Sequence, residues 1–539
     1  MTQRPHEWQS AAPRPEGMRN GQNQRRSEPP NGMKPRPSGL SARRPPLRPP
    51  GTPIRIPRDG APLTARPFVV AGAAPAQRPT LTGKARNLAR TTFINRNFAL
   101  LWWGQAISSV GDYAWDTALV LWIASVLARN QASAPLQVSG VILAAALPQI
   151  VVGPIAGVFV DRWDKRRTMV VATALQAVFA GLLIVPAVNV SLPGIGRPSV
   201  PTFWLLAVTY ADVALITICS QFFLPAQTAL IKDIVPEEKQ DQALEMTQAI
   251  QGLAVIIGPP VAAALVFGLG VQWALLMNAL SFVVSAVAAV AMHAPPAASS
   301  LAPGETGHFS REFIAGFGYV LGHRILRTIL VAEILTWLGF GALQTLGYFF
   351  ITGNLRAPAS DYGLFGAIFG LGAVAGGVLV TFFGQRIGLG RLLWMALVTS
   401  GVFVVVMSHL TSLGPALGAA FLFGVAATAI IVTAGPLAVD ATEREFVGRV
   451  TAVLNPVGRL AAFVSVIVAG YLVSTPLQGF HASVLGVTFG PVDTVFTFMG
   501  LLAVAGGLYA RLSLRDVLAV GPKQKPGEQR QSSTAGIAG

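Results

Sequence analysis

The sequence predicts an all-α polytopic membrane protein in which twelve transmembrane helices form two six-helix halves. Of its 539 residues, 52% are hydrophobic and only 12% are charged, a composition unlike that of a soluble globular protein. Beyond residue 97 the chain consists mainly of apolar runs of about 20 residues, the length that crosses a ~30 Å hydrocarbon core as a helix. Basic residues gather in alternate loops, as they do in chains that cross a membrane repeatedly.

The first segment, residues 1–92, is predicted to be a disordered cytoplasmic tail. It holds many Pro, Arg, Gly and Ser residues but few large apolar ones, so it cannot bury enough surface to offset the entropy lost on ordering. Residues 1–97 contain 18 Lys or Arg and 4 acidic residues, which places +14 of the formal net charge of +16 there. The tail is either solvated or docked on anionic lipid headgroups through residues 43–50. We expect no nucleic-acid partner, because no aromatic residues are interleaved with the basic ones.

The predicted spanning segments follow in order from residue 98. Each is an apolar run that is long enough to cross the membrane and is bounded by a more polar loop. Their approximate limits are 98–127, 137–160, 168–188, 202–224, 243–267, 271–292, 326–350, 362–384, 391–410, 414–436, 450–473 and 491–512.

The charge of the loops predicts the side of the membrane that each loop faces. With twelve spans both termini share one side, and the loops assigned to the outside then contain only Arg129, Arg197 and Arg356 as basic residues. Most other basic residues beyond the tail fall in inside loops, so the positive-inside rule places both termini in the cytoplasm. Eleven or thirteen spans would destroy this asymmetry. We therefore expect a multi-pass protein of the cell membrane.

The membrane body looks duplicated. Arg162 after the second segment has a counterpart in Arg386 after the eighth, and Pro225 after the fourth has one in Pro436 after the tenth. Both offsets are close to half of the membrane body, as expected for two related six-helix halves. The predicted domains are a tail (1–92), a first half (93–292), a cytoplasmic linker (293–324), a second half (325–515) and a disordered C-terminal tail (516–539).

The loop after the second segment carries the most specific motif. Gly157 is followed four residues later by Asp161 and Arg162, and then by Arg166 and Arg167. Between two spanning segments this pattern resembles the loop between helices two and three of the major facilitator superfamily. The resemblance implies that Gly157 lets neighbouring helices approach, and that the charged residues contact adjacent helix ends and help to lock one gate state. The alternative is that they act only as topogenic charge.

Two further stretches resemble one branch of that family, the enterobactin exporters and macrolide efflux proteins. They are residues 95–112, from Asn95-Arg96-Asn97-Phe98 to Gly111-Asp112, and residues 278–282, Asn278-Ala279-x-Ser281-Phe282. The Arg that proton antiporters of the superfamily often have in the fourth span is absent here. The resemblance covers about residues 93–515 and leaves the tail unexplained.

A kink motif lies in the fifth segment. Gly258-Pro259-Pro260 resembles the Gly-Pro motif of the family's antiporters, in which a small-residue helix kinks and seals one side against leak. The match is partial, because Ala262 and Ala263 replace two expected glycines. An ordinary packing kink is the alternative, since proline is tolerated in spanning helices whose neighbours satisfy the freed carbonyls.

Five ionisable residues inside the spans are candidates for proton coupling, because a charge at the bilayer centre costs about 2.5–3.5 kcal/mol and is retained mainly beside a cavity or a partner. Asp112 and Asp116 are four residues apart and share a helix face, so they would not both ionise easily unless one is hydrated near the outer interface. Glu333 has only apolar neighbours in sequence, so it must bind a proton or pair with another helix, where Arg459 is available. Asp212 completes the set.

No residue pattern typical of an enzyme is present. The single cysteine, Cys219, excludes an intramolecular disulfide framework and a cysteine cluster for metal. The six His residues have no ligand-like spacing, and no phosphate-binding Gly-rich loop occurs. We therefore expect neither enzymatic activity nor a cofactor or metal.

Together these features and the resemblance predict a secondary active transporter. It would export a small amphipathic or hydrophobic compound, such as a drug, a siderophore or a secondary metabolite, by proton antiport with alternating access, with Glu333 and Asp112 as the candidate proton carriers. One alternative is a lipid or lysophospholipid flippase, or an importer, of the same fold. Another is a non-transporting membrane scaffold or sensor that recruits partners through the tail. We expect a monomer whose partners are its small-molecule substrate, protons and the lipid bilayer.

Overall fold

The computed structural model describes residues 94–191, 201–293, 309–484 and 487–514. Both predicted tails, residues 1–92 and 516–539, lie outside these ranges, as does the first part of the predicted linker at 294–308.

The first half of the bundle contains seven helices. Its first helix begins after Asn95, whose side-chain Oδ1 accepts the backbone N–H of Phe98 (2.8 Å) and so caps the helix. A π-helical turn, Ile123–Leu127, extends this helix at its other end. The helices are α1 (Arg96–Trp122), α2 (Ala134–Val151), α3 (Gly153–Val160), α4 (Lys165–Ser191), α5 (Thr202–Ile234), α6 (Gln240–Gly268) and α7 (Val271–Ala291).

The second half is preceded by a helix of the linker, α8 (Phe309–Gly322). A π-helical turn, Phe350–Asn354, extends its first spanning helix, and a two-stranded antiparallel hairpin precedes its last one. The spanning helices are α9 (Arg324–Phe349), α10 (Asp361–Ile387), α11 (Leu389–Ser408), α12 (Leu413–Asp440), α13 (Val447–Ser474) and α14 (Pro491–Ser513). The hairpin strands are β1 (Ala482–Val484) and β2 (Val487–Phe489), with Ala482 opposite Phe489.

Twelve helices of the described part are long and apolar enough to span a membrane, which confirms the predicted number. The limits of two spans differ most from the prediction. The predicted segment 137–160 is divided at Val152, because Pro154 begins a separate short helix, α3. The predicted segment 202–224 continues to Ile234 with Pro225 inside the helix, since neighbouring helices in a bundle can compensate for a lost backbone hydrogen bond.

The helices of the two halves pack in the same order. In the first half α1 packs against α6 and α7, and α4 packs against α5 and α7. In the second half α9 packs against α13 and α14, and α11 packs against α12 and α14. The repeated pattern identifies two six-helix units of the same architecture.

The halves meet along two helix pairs, α6 with α10 and α2 with α13. The backbone N–H of Leu136 donates to Ser474 Oγ (3.1 Å), and Ser139 Oγ donates to the carbonyl of Val466 (2.8 Å). On the other side of the bundle, Gly363 of α10 fits directly against Pro259 of α6.

These contacts lie at one end of the bundle. We call the end that carries loop 161–164 and turn 235–239 the basic end, and the other the opposite end. At the opposite end, Tyr348 of α9 is buried in the same hydrophobic cluster as Trp122 and Leu275 of the first half. Near the basic end, a Cβ added at Gly157 would meet no described atom within 4 Å. The halves therefore touch at the opposite end, and Gly157 has no close neighbour.

Candidate transport site

One face of α1 carries the polar side chains of the first half. Gln105, Ser109, Asp112 and Asp116 recur at intervals of four, three and four residues, so they share one face of the helix. The other face carries Trp103, which is 55% exposed on the outside of the bundle. The polar face of α1 therefore points into the bundle.

The two aspartates of this face lie beside tyrosine hydroxyls from both halves. Asp112 and Asp116 are close enough to interact electrostatically with each other and with Tyr113, and Asp116 also interacts with Tyr362 of α10. The side chain of Asp116 is accessible, and that of Asp112 is half-buried. Among the described residues, neither carboxylate has a hydrogen-bond or salt-bridge partner. Two carboxylates without a counter-charge therefore face the junction of the halves.

Nearer the basic end, amide side chains tie the same face of α1 to α5 and α6. Gln227 Nε2 donates to Gln105 Oε1 (3.1 Å), and Gln105 Nε2 donates to Ser109 Oγ (3.2 Å). Gln251 Nε2 also donates to Ser109 Oγ (3.3 Å). Gln105, Ser109 and Gln227 are buried, so these bonds satisfy groups that would be unfavourable in an apolar interior. They fix the position of α1 and hence of its aspartates.

The kink motif lies where α6 meets both α1 and α10. A Cβ at Gly258 would stand 2.5 Å from Tyr113 Cβ, so only glycine allows this approach of α6 to α1. On α10, a Cβ at Gly363 would stand 2.5 Å from the carbonyl oxygen of Pro259. Pro260 continues the same helix and is half-buried. The motif thus occupies a contact between the halves, one turn of α1 away from Asp116.

Glu333 of α9 is held by a residue of its own helix. Trp337 Nε1 donates to Glu333 Oε2 (2.9 Å), one helical turn along. Both side chains pack against Gly458 of α13, where an added Cβ would stand 2.7 Å from the indole ring and 3.6 Å from Glu333 Oε2. The carboxylate is therefore part of the packing between α9 and α13. In the described part of the chain it forms no salt bridge with Arg459.

Arg459 lies on the face of α13 that meets the first half. Val466 and Gly470 follow Arg459 by seven and eleven residues, so all three residues lie on one face of α13. Val466 and Gly470 both contact Ser139 of α2. Arg459 is exposed and lies closer to the basic end. A cation therefore lies on this face, on the basic-end side of the contacts that Val466 and Gly470 make with the first half.

Asp212 is the most buried of the five candidate residues. It is 6% exposed, on α5. Its Oδ2 atom has no hydrogen-bond partner among the described residues. Asp212 is thus less exposed than either Asp112 or Asp116 of α1, although all three are carboxylates within spans.

The charged residues of the loop after α3 form two groups, those that contact other helices of the same half and those whose side chains are exposed. Arg166 Nε donates to the carbonyl of Ala289 (3.0 Å) at the end of α7, where a cation also suits the helix dipole. Its neighbour Lys165 forms a salt bridge with Asp233 (2.6 Å). The other members, Asp161, Arg162 and Arg167, have exposed side chains. The contacts of Arg166 and Lys165 hold helices of one half together.

Sequence reasoning missed four residues of this region. Gln227, Gln251 and Tyr362 come from helices distant in sequence from α1, so a single sequence gives no sign of their pairing. Trp337 could have been found, because a residue four positions after Glu333 lies on the same helix face. In the described ranges, no group of three or more His, Cys, Asp or Glu side chains is placed to hold a metal ion.

Comparison with known proteins adds family evidence. A family model described as Major Facilitator Superfamily matches residues 101–464. The uncharacterized MFS-type transporter YkuC of Bacillus subtilis is 23% identical over 376 residues, which are 68% of this chain and 82% of that protein. Macrolide efflux protein A of Streptococcus pyogenes is 23% identical over 291 residues, which are 53% of this chain and 67% of that protein.

Two solved structures share the fold. The nucleoside transporter NupG superposes with a TM-score of 0.59 at 10% sequence identity, over 78% of this chain and 99% of that chain. A bacterial homologue of the iron transporter ferroportin in an inward-facing state superposes with a TM-score of 0.58 at 16% identity, over 79% of this chain and 99% of that chain. At these identities the likeness concerns the fold alone.

Proposed function

This chain belongs to the major facilitator superfamily of membrane transporters, and on that premise we propose that it exports a small amphipathic or hydrophobic compound in exchange for protons. The observation that carries the proposal is the pair Asp112 and Asp116. Two carboxylates without a counter-charge, on the inward face of a membrane helix, are retained when they bind and release a cation.

Efflux as the direction is supported by the relatives. The matched protein of Streptococcus pyogenes bears the name macrolide efflux protein A, and a second curated match, from Enterococcus faecalis, bears the same name at 24% identity over 242 residues. The motif residues 95–112 that resemble this branch include Gln105, Ser109 and Asp112 of the polar face of α1. The sequence resemblance to efflux proteins and the aspartates proposed to carry protons thus both involve α1.

In the proposed cycle, the conformer described here is the one whose halves are apart at the basic end. In this conformer the substrate would enter from the basic end and bind beside α1, where the aspartates would release their protons. The halves would then rock together at the basic end and part at the opposite end. Proton binding to Asp112 and Asp116 there would remove their charge, expel the substrate and allow the return step.

Gating would depend on residues that only the second conformer brings together. Asp161, Arg162 and Arg167 are exposed here and would contact helix ends of the second half when the basic end closes. Arg459, on the opposing face of α13, would serve as one of the approaching charges. Gly157 has open space in this conformer and would permit the close approach.

We further propose that the basic end, and with it both termini, lies in the cytoplasm. The positive-inside rule carries this orientation. The chain would divide into the halves 93–292 and 325–515, joined by a linker at 293–324 and flanked by tails at 1–92 and 516–539.

The test is a screen in inverted membrane vesicles with an acid interior, in which a fluorescent dye reports the pH gradient. Antibiotics including macrolides, dyes, siderophores and lysolipids are added in turn. We expect at least one compound to release the gradient only when the protein is present, and Asp112→Asn with Asp116→Asn to abolish that release. A Glu443→Gln variant, which removes an exposed acid at the same bundle's basic end, is the matched control.

Other outcomes identify other functions. Lysolipid movement without proton release would favour a flippase. Accumulation on the side opposite to the prediction would favour an importer. A protein that inserts and folds but moves none of the compounds, and whose cellular role is lost when residues 1–90 are deleted, would favour the scaffold.

A further inference from the structure

A groove between α4 and α5 at the basic end has the features of a lipid site. Its volume is about 700 Å³. Its apolar wall is formed on α4 by Val171 and Leu175, and on α5 by Cys219 and Phe222. Val171 is 58% exposed and Leu175 is 43% exposed, so the groove opens onto the outer surface of the bundle. In a membrane protein this surface faces lipid.

The mouth of the groove is basic. Arg162 and Arg167 both border it, and both are exposed. The other two basic residues of the loop already have partners, because Lys165 pairs with Asp233 and Arg166 binds the end of α7. Within the described ranges, neither Arg162 nor Arg167 forms a salt bridge. Both lining arginines carry a planar guanidinium group, which binds phosphate through paired hydrogen bonds.

Asp164, the acidic residue among those described as lining the groove, is already engaged. Asp164 Oδ1 accepts the backbone N–H of Arg167 (2.7 Å) and so caps the start of α4. The helix dipole at this end further offsets its charge. The mouth therefore retains a positive character despite this carboxylate.

The aromatic residues at the mouth and the length of the groove are those expected for a lipid that stays within one leaflet. Trp163 stands at the mouth, 48% exposed, and its ring stacks on Phe222 with centroids 5.9 Å apart and planes at 18°. Tryptophan is favoured at the headgroup level of membranes. From Arg167 to Leu175 the helix rises by about 12 Å. This is close to half of a ~30 Å hydrocarbon core, so an acyl chain in the groove would stay within one leaflet.

We propose that, in the conformer described here, this groove holds one anionic phospholipid, with its phosphate between Arg162 and Arg167 and one acyl chain along Val171, Leu175 and Phe222. The gate contacts proposed above for the two arginines belong to the other conformer. Basic pockets between spanning helices are a known arrangement for anionic headgroups. The site is separate from the polar face of α1 and does not depend on which substrate is transported.

The test uses the full-length protein in nanodiscs that contain phosphatidylglycerol with a photoreactive acyl chain. After irradiation, the labelled peptides are identified by mass spectrometry. We expect label in the peptides that contain Val171–Leu175 and Ile218–Phe222, and at least fivefold less when unlabelled phosphatidylglycerol is added in excess. Excess phosphatidylcholine should not compete.

The variant Arg162→Gln with Arg167→Gln should lower the label in these two peptides at least fivefold. Lys239→Gln with Arg444→Gln is the matched control, because it removes the same charge from exposed positions at the same end and should leave the label unchanged. Equal labelling by a phosphatidylcholine probe, equal competition by both lipids, or absence of label from the two peptides would overturn the proposal. The competition between lipids is measured on the wild-type protein, so it tests the proposal even if the double variant does not fold.

Discussion

The two halves share one architecture but hold their membrane-embedded carboxylates differently. In the first half, Asp112 and Asp116 face the junction of the halves and have no hydrogen-bond partner among the described residues. In the second half, Glu333 accepts the indole N–H of Trp337 and packs against α13. A carboxylate that is free of partners can gain and lose a proton as the halves move, whereas one that is built into a helix contact is better suited to holding that contact.

The residues around the two helices also differ, because the aspartates of α1 adjoin a polar region and Glu333 of α9 adjoins a closely packed one. Around α1, the amides of Gln105, Gln227 and Gln251 form a polar region that leads from the basic end toward the aspartates. Glu333 is followed along α9 by Trp337 and lies beside Gly458, which is a closely packed environment. From this comparison we propose proton exchange in the first half and a positioning role for Glu333. Four variants test this assignment, in order of decreasing expected effect.

The largest effect is expected from Asp112→Asn with Asp116→Asn. Removing both ionisable groups should lower pH-driven export by at least about tenfold, because no carboxylate of α1 then binds and releases protons as the halves move. Exchange of labelled for unlabelled substrate at equal pH requires no net proton movement and should persist. The two fluxes are compared in proteoliposomes. Loss of both fluxes together would mean that the aspartates bind substrate and do not couple protons.

Gly258→Leu should have the next largest effect. The new side chain would collide with Tyr113 and displace α1 from α6, and overpacking of this kind costs about 1–3 kcal/mol. We expect a severalfold loss of transport and a lower midpoint of thermal unfolding. Gly268→Leu on the same helix is the control, because a Cβ there meets no described atom within 4 Å. Equal effects of both substitutions would contradict a specific role for the contact.

Trp337→Phe should affect stability more than coupling. It removes the donor to Glu333 but keeps an aromatic ring, and loss of a hydrogen bond to a carboxylate costs about 1–2 kcal/mol. Thermal unfolding in detergent should show this loss in the wild-type background and much less of it in a Glu333→Leu background, which has no acceptor for the indole N–H. A change in pH-driven export greater than about twofold would place Glu333 in the proton path.

Lys165→Gln should give the smallest effect. It breaks the salt bridge to Asp233, and partly exposed pairs of this type contribute about 0.2–1 kcal/mol. A double-mutant cycle with Asp233→Asn measures the interaction. The corresponding loop of the second half has no acid and turns through Gly388, whose φ of 88° favours glycine. An interaction energy well above about 1 kcal/mol between Lys165 and Asp233 would contradict the expectation for a partly exposed pair.

Much of the fold could be predicted because length and apolarity are properties of the sequence itself. The number of spans follows from them, and the structure confirms it. The end of α5 was less predictable, because Pro225 ends helices in water but is accepted inside a bundle of spanning helices. The separate helix α3 likewise depends on how the chain packs after Pro154.

The candidate site was predictable where the information is local. The four-residue spacing of Asp112 and Asp116 puts them on one face, and the polar residues Gln105 and Ser109 extend that pattern. The same local rule applied to Glu333 would have found Trp337. The amides of α5 and α6 that bind α1 could not be predicted, since their pairing depends on which distant helices pack together.

The central claim is that the aspartates of α1, and not Glu333, bind the protons that are exchanged for substrate. It is tested most directly by adding the substrate identified in the vesicle screen to purified protein in weak buffer and measuring the protons released. We expect release by the wild type and by Glu333→Gln, and none by Asp112→Asn with Asp116→Asn. Release that persists without the two aspartates, or that disappears in Glu333→Gln while substrate still binds, would contradict the account.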